Sequence, residues 1–283
     1  MAAEKQISLA LGAGGLAKGY AHIGVIRVLE AAGYQVRAIA GSSVGALSGA
    51  LYAAGYTPDE LEAMAQESSS GQIQRRASGE RASLRGLASV EAMLRHRLSN
   101  CSFSQLERRF AVAATEFDTG RETVFQSGDV ADAVLATIAI PVVFPPRQID
   151  GRTYVDGSLV NPVPVALARS LAPGLPVVAV VLNPPISSEN IVPAPGFVRL
   201  PAFLASALRN LRWAKMARIY ARSIDISLKY LGHLRLEYER PDVIIRPDVF
   251  EIGLLDQPDV HEIVLRGERA AQAALPQIEA LFA

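Results

Sequence analysis

The sequence predicts an α/β protein with a mainly parallel central sheet and helices on both of its faces. Two observations carry that expectation. A short apolar run, Ile7 to Leu11, passes through a glycine-rich turn into a segment with Ile23, Ile26 and Leu29 on one helical face, and the order strand, turn, helix recurs between Val36 and Ala54. Strands joined through helices run parallel, with right-handed crossovers. The run P-V-V-A-V-V-L-N-P-P, from Pro176 to Pro185, is bracketed by prolines and falls far short of the roughly 18 residues of a membrane span. It reads as a buried strand.

The elements follow in order. Gly33 stops the first helix, V-R-A-I-A (Val36 to Ala40) forms the second strand, and an Ala/Leu-rich helix from Val44 to Ala54 stops at Gly55. A third helix opens at T-P-D-E, where Thr57 caps, Pro58 takes the first helical position and Glu60 completes a capping box. Ser68 to Arg85 is polar and without period, and reads as a surface loop. Phe110 to Thr115 and Glu122 to Gln126 read as strands joined through a D-T-G turn, and A-D-A-V-L-A-T-I-A-I as a helix ending before Pro141. Q-I-D-G-R-T-Y-V-D-G reads as a hairpin turning at Asp150-Gly151. A strand at Asp242 to Pro247 and a helix from about Pro258 to Phe282 complete the chain.

The 283 residues contain no linker that separates two complete halves, so one domain over 1–283 is expected. Half of the residues are apolar, and 28 Lys and Arg balance 28 Asp and Glu, which supplies a large core and no global field for nucleic acid. The single cysteine, Cys101, excludes an intramolecular disulfide and reads as a buried structural thiol. M-A-A-E-K-Q carries no apolar run of signal-peptide length, so a cytoplasmic location is expected. The four histidines and one cysteine are scattered without H-x-x-x-H or C-x-x-C, so no metal and no cofactor is expected.

The glycine loop, with Gly12, Gly14, Gly15 and Gly19, aims backbone N–H groups at something negative. Gly12, Gly14 and Ala17 satisfy G-x-G-x-x-G/A, yet no carboxylate stands between Glu30 and Asp59 to hold a ribose. No G-K-S or G-K-T follows either, since Lys18 precedes Gly19. The alternative to a phosphate is an oxyanion. It is supported by G-S-S-V-G, a G-x-S-x-G pattern with Gly41 and Gly45 around Ser43, placed between a strand and a helix as a nucleophile elbow requires.

A serine hydroxyl needs a base. The chain order Ser43, Asp156, His261 suits an α/β-hydrolase triad, although V-H-E-I-V around His261 reads as the start of a surface helix and His22 sits beside core-facing Ile23. Asp156 ends the strand T-Y-V and is followed at once by Gly157. A carboxylate so placed can lie directly against a serine from a neighbouring strand.

Together the glycine loop with its basic residue, the early G-x-S-x-G and the D-G pair resemble the patatin-like phospholipase family. The likeness extends through F-S-Q-L, A-V-A-A-T-E-F-D-T-G, A-T-I-A-I-P-V-V-F-P-P and Y-V-D-G-S-L-V-N-P-V-P, over most of residues 7–182. It implies a three-layer α/β fold and acyl-ester hydrolysis of lipids by a serine–aspartate dyad without histidine. Ser43 is then the nucleophile and Asp156 the base, with Gly14, Gly15 and Lys18 at the oxyanion hole. The loop carries Lys where the family frequently has Arg, which keeps the charge and loses the planar fork. A thioesterase or acyltransferase would use the same nucleophile, and a catalytically silent membrane-binding scaffold would keep only the fold.

Between Glu189 and Asp225 the chain has no acidic residue. The segment 197–222 sets Arg209, Arg212, Lys215 and Arg218 among Phe, Leu and Trp, and reads as a basic amphipathic surface helix suited to an anionic membrane.

Overall fold

Eight strands form one sheet in the order β5-β6-β3-β2-β1-β7-β8, with β4 paired to β3. They are β1 (Gln6–Leu11), β2 (Gln35–Ser42), β3 (Arg109–Glu116), β4 (Glu122–Phe125), β5 (Arg147–Ile149), β6 (Arg152–Val155), β7 (Val177–Val180) and β8 (Val243–Ile245). The helices are α1 (Tyr20–Ala31), α2 (Val44–Ala53), α3 (Pro58–Arg76), α4 (Ala82–Leu98), α5 (Val130–Thr137), α6 (Val165–Leu171), α7 (Arg212–Glu239) and α8 (Val260–Glu279). The structure is a computed structural model that describes residues 4–76, 82–141, 143–186, 212–253 and 256–283.

Alternation of large and small apolar residues decides what each strand face meets. Leu9, Leu11, Ile39, Val112, Val178 and Val180 pack with residues of α1, α2, α5 and α8 in the larger core. Their neighbours Ala10, Ala40, Ala111, Ala113 and Ala179 face the other way, against Val165, Leu167 and Ala168 of α6 and Leu236 of α7. Both faces are therefore covered, as the parallel part of the sheet requires. Small side chains on the second face let α6 lie close to β1, β2 and β3.

The β3-β2-β1-β7-β8 portion is parallel. Because β1 lies between β2 and β7, strand order reverses at β1, and the crevice outside its carboxyl end is where open α/β sheets hold ligands. The glycine loop occupies that place.

The antiparallel additions matter for the site. On β3, Val112 to Thr115 pair with β4, so β2 and β6, which overlap β4 at Val112–Ala113 and Thr115, must lie on the opposite edge. There β2 ends with Ser42 opposite Ala113, while β6 runs the other way and ends with Val155 opposite Thr115. Two strands thus meet carboxyl end to carboxyl end at Ala114, and the residues that follow them are Ser43 and Asp156.

The Asp150-Gly151 hairpin forms as expected, with both residues at positive φ (48° and 75°). The predicted loop from Ser68 to Arg85 is a correction: α3 continues to Arg76 and α4 begins at Ala82. The Thr57–Glu60 capping box starts α3, and Leu61, Met64 and Ala65 bury its first turns. Beyond them Glu, Gln and Arg are good helix formers even where no apolar period marks a buried face. Cys101 is half-buried rather than buried.

Of the predicted surface segment, residues 197–211, Arg209 among them, lie outside the described residues, as do the side chains of Arg212, Lys215 and Arg218. Among the described residues no helix is long and apolar enough to cross a membrane.

Candidate active site

Ser43 stands at the turn from β2 into α2 with φ 52° and ψ −126°, a conformation that β-carbon sterics disfavour. Close contact on both sides holds it there. A β-carbon on Gly45 would lie 2.1 Å from the Leu11 carbonyl oxygen, and one on Gly41 would lie 2.4 Å from the Ala46 Cα. Only glycine lets β2, the elbow and α2 pack this tightly, which is the physical content of G-x-S-x-G. The Ser43 carbonyl accepts from the Ala46 amide, so the serine caps α2 and its side chain sits at the positive end of the helix.

The Ser43 hydroxyl donates to Asp156 Oδ2 at 2.6 Å. Both residues are buried, at 4% and 2% exposure. The other carboxylate oxygen, Oδ1, accepts the Ser158 amide at 2.8 Å. Asp156 is anchored through its backbone as well, its N–H donating to the Ala139 carbonyl and its carbonyl accepting the Thr115 hydroxyl. Burial raises the Asp156 pKa, and hydrogen bonds from Ser158 and Ser43 act against that rise.

Thr137, at the end of α5, ties the two halves together. Its Oγ1 accepts the Ser43 N–H at 2.9 Å and donates to the Ala113 carbonyl at 2.5 Å. A β-carbon on Gly157 would fall 2.0 Å from that same carbonyl and 2.7 Å from the Thr137 hydroxyl, so the residue after Asp156 packs directly on this bridge. Sequence reasoning passed over Thr137, although its signal was present: a lone hydroxyl at the end of the apolar helix A-D-A-V-L-A-T.

The glycine loop divides its amides. Gly12 N–H donates to the Val180 carbonyl, Ala13 N–H to the Pro162 carbonyl, and Gly19 N–H to the Leu16 carbonyl. Among the described residues the Gly14 and Gly15 amides, the latter at φ 87°, have no protein acceptor. Gly14 rests on the Leu182 side chain and Gly19 on Val44, so both ends of the loop are pinned beside the elbow. His22 fixes it from below: fully buried, it donates from Nε2 to the Gly12 carbonyl, and burial lowers its pKa to about 4. Lys18 is 7% exposed, and burial, followed by Lys229, lowers its pKa to about 8. The other charges acting on it are Asp225 of α7 and Glu251 and Asp256 of the segment after β8, all of which oppose that lowering.

No histidine bonds Ser43 or Asp156. His261 bonds Glu62 at 2.7 Å, on the surface where α8 meets α3, and His233 pairs with Glu237. The triad order in the chain therefore has no counterpart in space.

A site at the carboxyl ends of parallel strands, with a serine elbow beside a buried carboxylate and a loop of unengaged amides, marks one class of α/β protein. Residues 9–169 match the sequence model of a family described as Patatin-like phospholipase. The chain belongs to that family. An uncharacterized NTE family protein of Mycobacterium bovis is 38% identical over 164 residues, covering 57% of this chain and 45% of that protein. A second, from Mycobacterium tuberculosis, is 30% identical over 273 residues, covering 93% of this chain and 45% of its own length. The chain thus spans less than half the length of these relatives. Lysophospholipase NTE1 of Coccidioides immitis is 31% identical over 181 residues, 59% of this chain and 11% of that protein. The crystal structure of VipD from Legionella pneumophila shares the fold, with a TM-score of 0.50 at 14% identity over 98% of this chain and 67% of its own.

Proposed function

We propose that the protein is a serine acyl-ester hydrolase acting on lipids, of phospholipase A or lysophospholipase type, with Ser43 as nucleophile and Asp156 as base. The observation that carries this reading is the 2.6 Å hydrogen bond from the Ser43 hydroxyl to a buried carboxylate. As Ser43 Oγ attacks the ester carbonyl, its proton passes to Asp156 Oδ2 and the carbonyl π pair moves onto oxygen. The Gly14 and Gly15 amides, together with the first amides of α2, receive that oxyanion. Collapse of the tetrahedral intermediate expels the alcohol, which takes the proton from Asp156, and an acyl-serine remains. Water attacks the acyl carbon, gives its proton to Asp156 and frees the fatty acid, after which Ser43 recovers its proton.

An aspartate at its usual pKa of about 3.9 is a feeble base. Burial that raises the pKa makes this carboxylate a better one. The Ser158 amide on Oδ1 leaves Oδ2 as the oxygen that faces the serine. The family membership and the activity in the name of the fungal relative, a lysophospholipase, support a lipid ester as substrate.

The test is labelling with a lipid-like fluorophosphonate, read by peptide mass spectrometry, alongside turnover of a soluble short-chain ester. A single adduct on Ser43, with both labelling and turnover lost in Ser43→Ala, is expected. Folded protein that takes no label and turns over no ester overturns the reading.

A further inference from the structure

Ten large hydrophobic side chains remain exposed among the described residues, and five of them lie on α7: Ile219, Ile226, Tyr230, Leu234 and Tyr238, at 65%, 44%, 54%, 57% and 87% exposure. Their spacing of seven, four, four and four residues keeps them in one stripe, about 29 Å long at the α-helical rise. The opposite face of α7 is already used. Leu236 is buried in the core against α6 and the small-residue face of the sheet, Gly232 lies against Pro162, and Glu239 caps α6 at the Ala166 amide. The outward face of the helix therefore carries five large apolar side chains, interrupted by Ser223, Ser227 and Glu237, where a helix bathed in water is ordinarily more polar.

Charge selects what covers the stripe. The chain as a whole has equal numbers of basic and acidic residues, yet α7 holds six Lys and Arg against three Asp and Glu. Arg222 and Lys229 share Asp225 at 2.8 and 3.0 Å and His233 pairs with Glu237, so the excess of positive charge in the α7 sequence comes from Arg212, Lys215 and Arg218 at its start. A second copy packed stripe to stripe would set two net-positive helices against each other, whereas an anionic lipid surface answers both the apolar stripe and the net positive charge of α7. Tyr230 and Tyr238 add rings whose hydroxyls can stay at headgroup level.

The helix that carries the stripe borders the glycine loop through its other face. Lys229 acts on the Lys18 ammonium, and Gly232 touches the proline whose carbonyl holds the Ala13 amide of the glycine loop.

We propose that the outer face of α7, from Ile219 to Tyr238, docks on an anionic lipid surface and brings the Ser43–Asp156 site to it. The docking is argued from α7 itself; its use for catalysis rests on the hydrolase reading above.

The test uses the full chain and vesicles of phosphatidylcholine with and without phosphatidylglycerol, and reads the bound fraction by co-sedimentation and the rate on a soluble short-chain ester. The variant is Ile226→Ser/Tyr230→Ser/Leu234→Ser, whose exposed positions leave the core intact, with circular dichroism as a check on folding. Wild-type protein is expected to bind phosphatidylglycerol vesicles on the order of tenfold more tightly than phosphatidylcholine alone, and less so as salt is raised. The variant should lose about tenfold in vesicle affinity while its rate on the soluble ester stays within about twofold. Equal binding by wild type and variant overturns the proposal. So does a wild-type dimer, measured by light scattering, that becomes a monomer in the variant, because the stripe then belongs to a second copy. Stripe-dependent vesicle binding without ester hydrolysis by the wild type overturns the hydrolase reading alone and upholds the docking surface.

Discussion

The Thr137 hydroxyl accepts the Ser43 N–H at 2.9 Å while it donates to the Ala113 carbonyl, so one buried side chain holds the strained elbow against the strand beneath it. Thr137 is in this sense a positioning residue. Replacing it with valine keeps the shape and leaves a buried N–H and a buried carbonyl unpaired, each at a cost of about 1–3 kcal/mol. Thr137→Val should lower kcat on a short-chain ester by about tenfold or more with KM little changed, because the elbow relaxes and the pocket does not. Thr137→Ser restores the hydroxyl and should recover most of the rate. Equal rates for the two variants would remove Thr137 from the machinery.

The raised pKa of Asp156 fixes the sign of two pH effects. As a base Asp156 must be ionised, so the acid limb of kcat/KM should inflect above about 3.9, the usual aspartate value. The native state also binds this proton more tightly than the unfolded chain does. The ionised carboxylate therefore becomes a cost to stability as pH climbs past its unfolded pKa. Asp156→Asn should abolish turnover yet melt higher than wild type near neutral pH, and that gain should shrink as pH falls toward the unfolded value. An acid limb at the ordinary aspartate value, or an active Asn variant, would sink the assignment of the base.

Lys18 sets the expectation for the alkaline side. Its ammonium, lowered by burial to about 8, is charged at neutral pH and loses its proton as pH rises through that value. If the positive charge steadies the oxyanion loop, kcat/KM should fall across the same range. Lys18→Arg keeps its charge throughout and should carry no such limb. A limb unchanged in Lys18→Arg would mean that another group titrates there.

Arg27 of α1 reaches Glu268 on α8 and Asp59 and Glu62 on α3, at 2.7, 2.9 and 2.6 Å, and so pins three helices. Glu62 is 8% exposed, and without the guanidinium it keeps His261 at 2.7 Å and a long hydrogen bond from the Gln66 amide at 3.5 Å. Arg27→Met should lower stability by about 2 kcal/mol, less than a fully buried pair because Arg27 is partly solvated. Urea midpoints at unchanged slope measure this. A change within error would show that the three carboxylates are adequately hydrated without it.

Much of the site was legible in the chain because its parts are local. Gly41, Ser43 and Gly45 mark an elbow by themselves, since a β-carbon beside the serine would strike backbone, and Asp150-Gly151 marks its turn by the positive φ it needs. The loop Gly12 to Gly19 could be read as a cradle for negative charge, but not which amides remain unengaged. That depends on Val180 and Pro162, which take the Gly12 and Ala13 N–H groups from far along the chain. The polar stretch after Ser68 misled because Glu, Gln and Arg sustain a helix without leaving an apolar period in the sequence.

The sequence by itself determined the strands, the turns and the faces they bury, through the alternation of Leu, Ile and Val with Ala and through glycines at close approaches. Those are properties of a few neighbouring residues. Only the tertiary structure decided that β2 and β6 run onto one edge of β3 from opposite directions and stop facing each other. It is this that sets Ser43 and Asp156, 113 positions apart, within one hydrogen bond, and brings Thr137 beneath both. It also decided which face of α7 is left to solvent. Strand pairing and helix docking are contacts between distant segments, and their physical cause is the assembly of the whole sheet, which no short pattern contains.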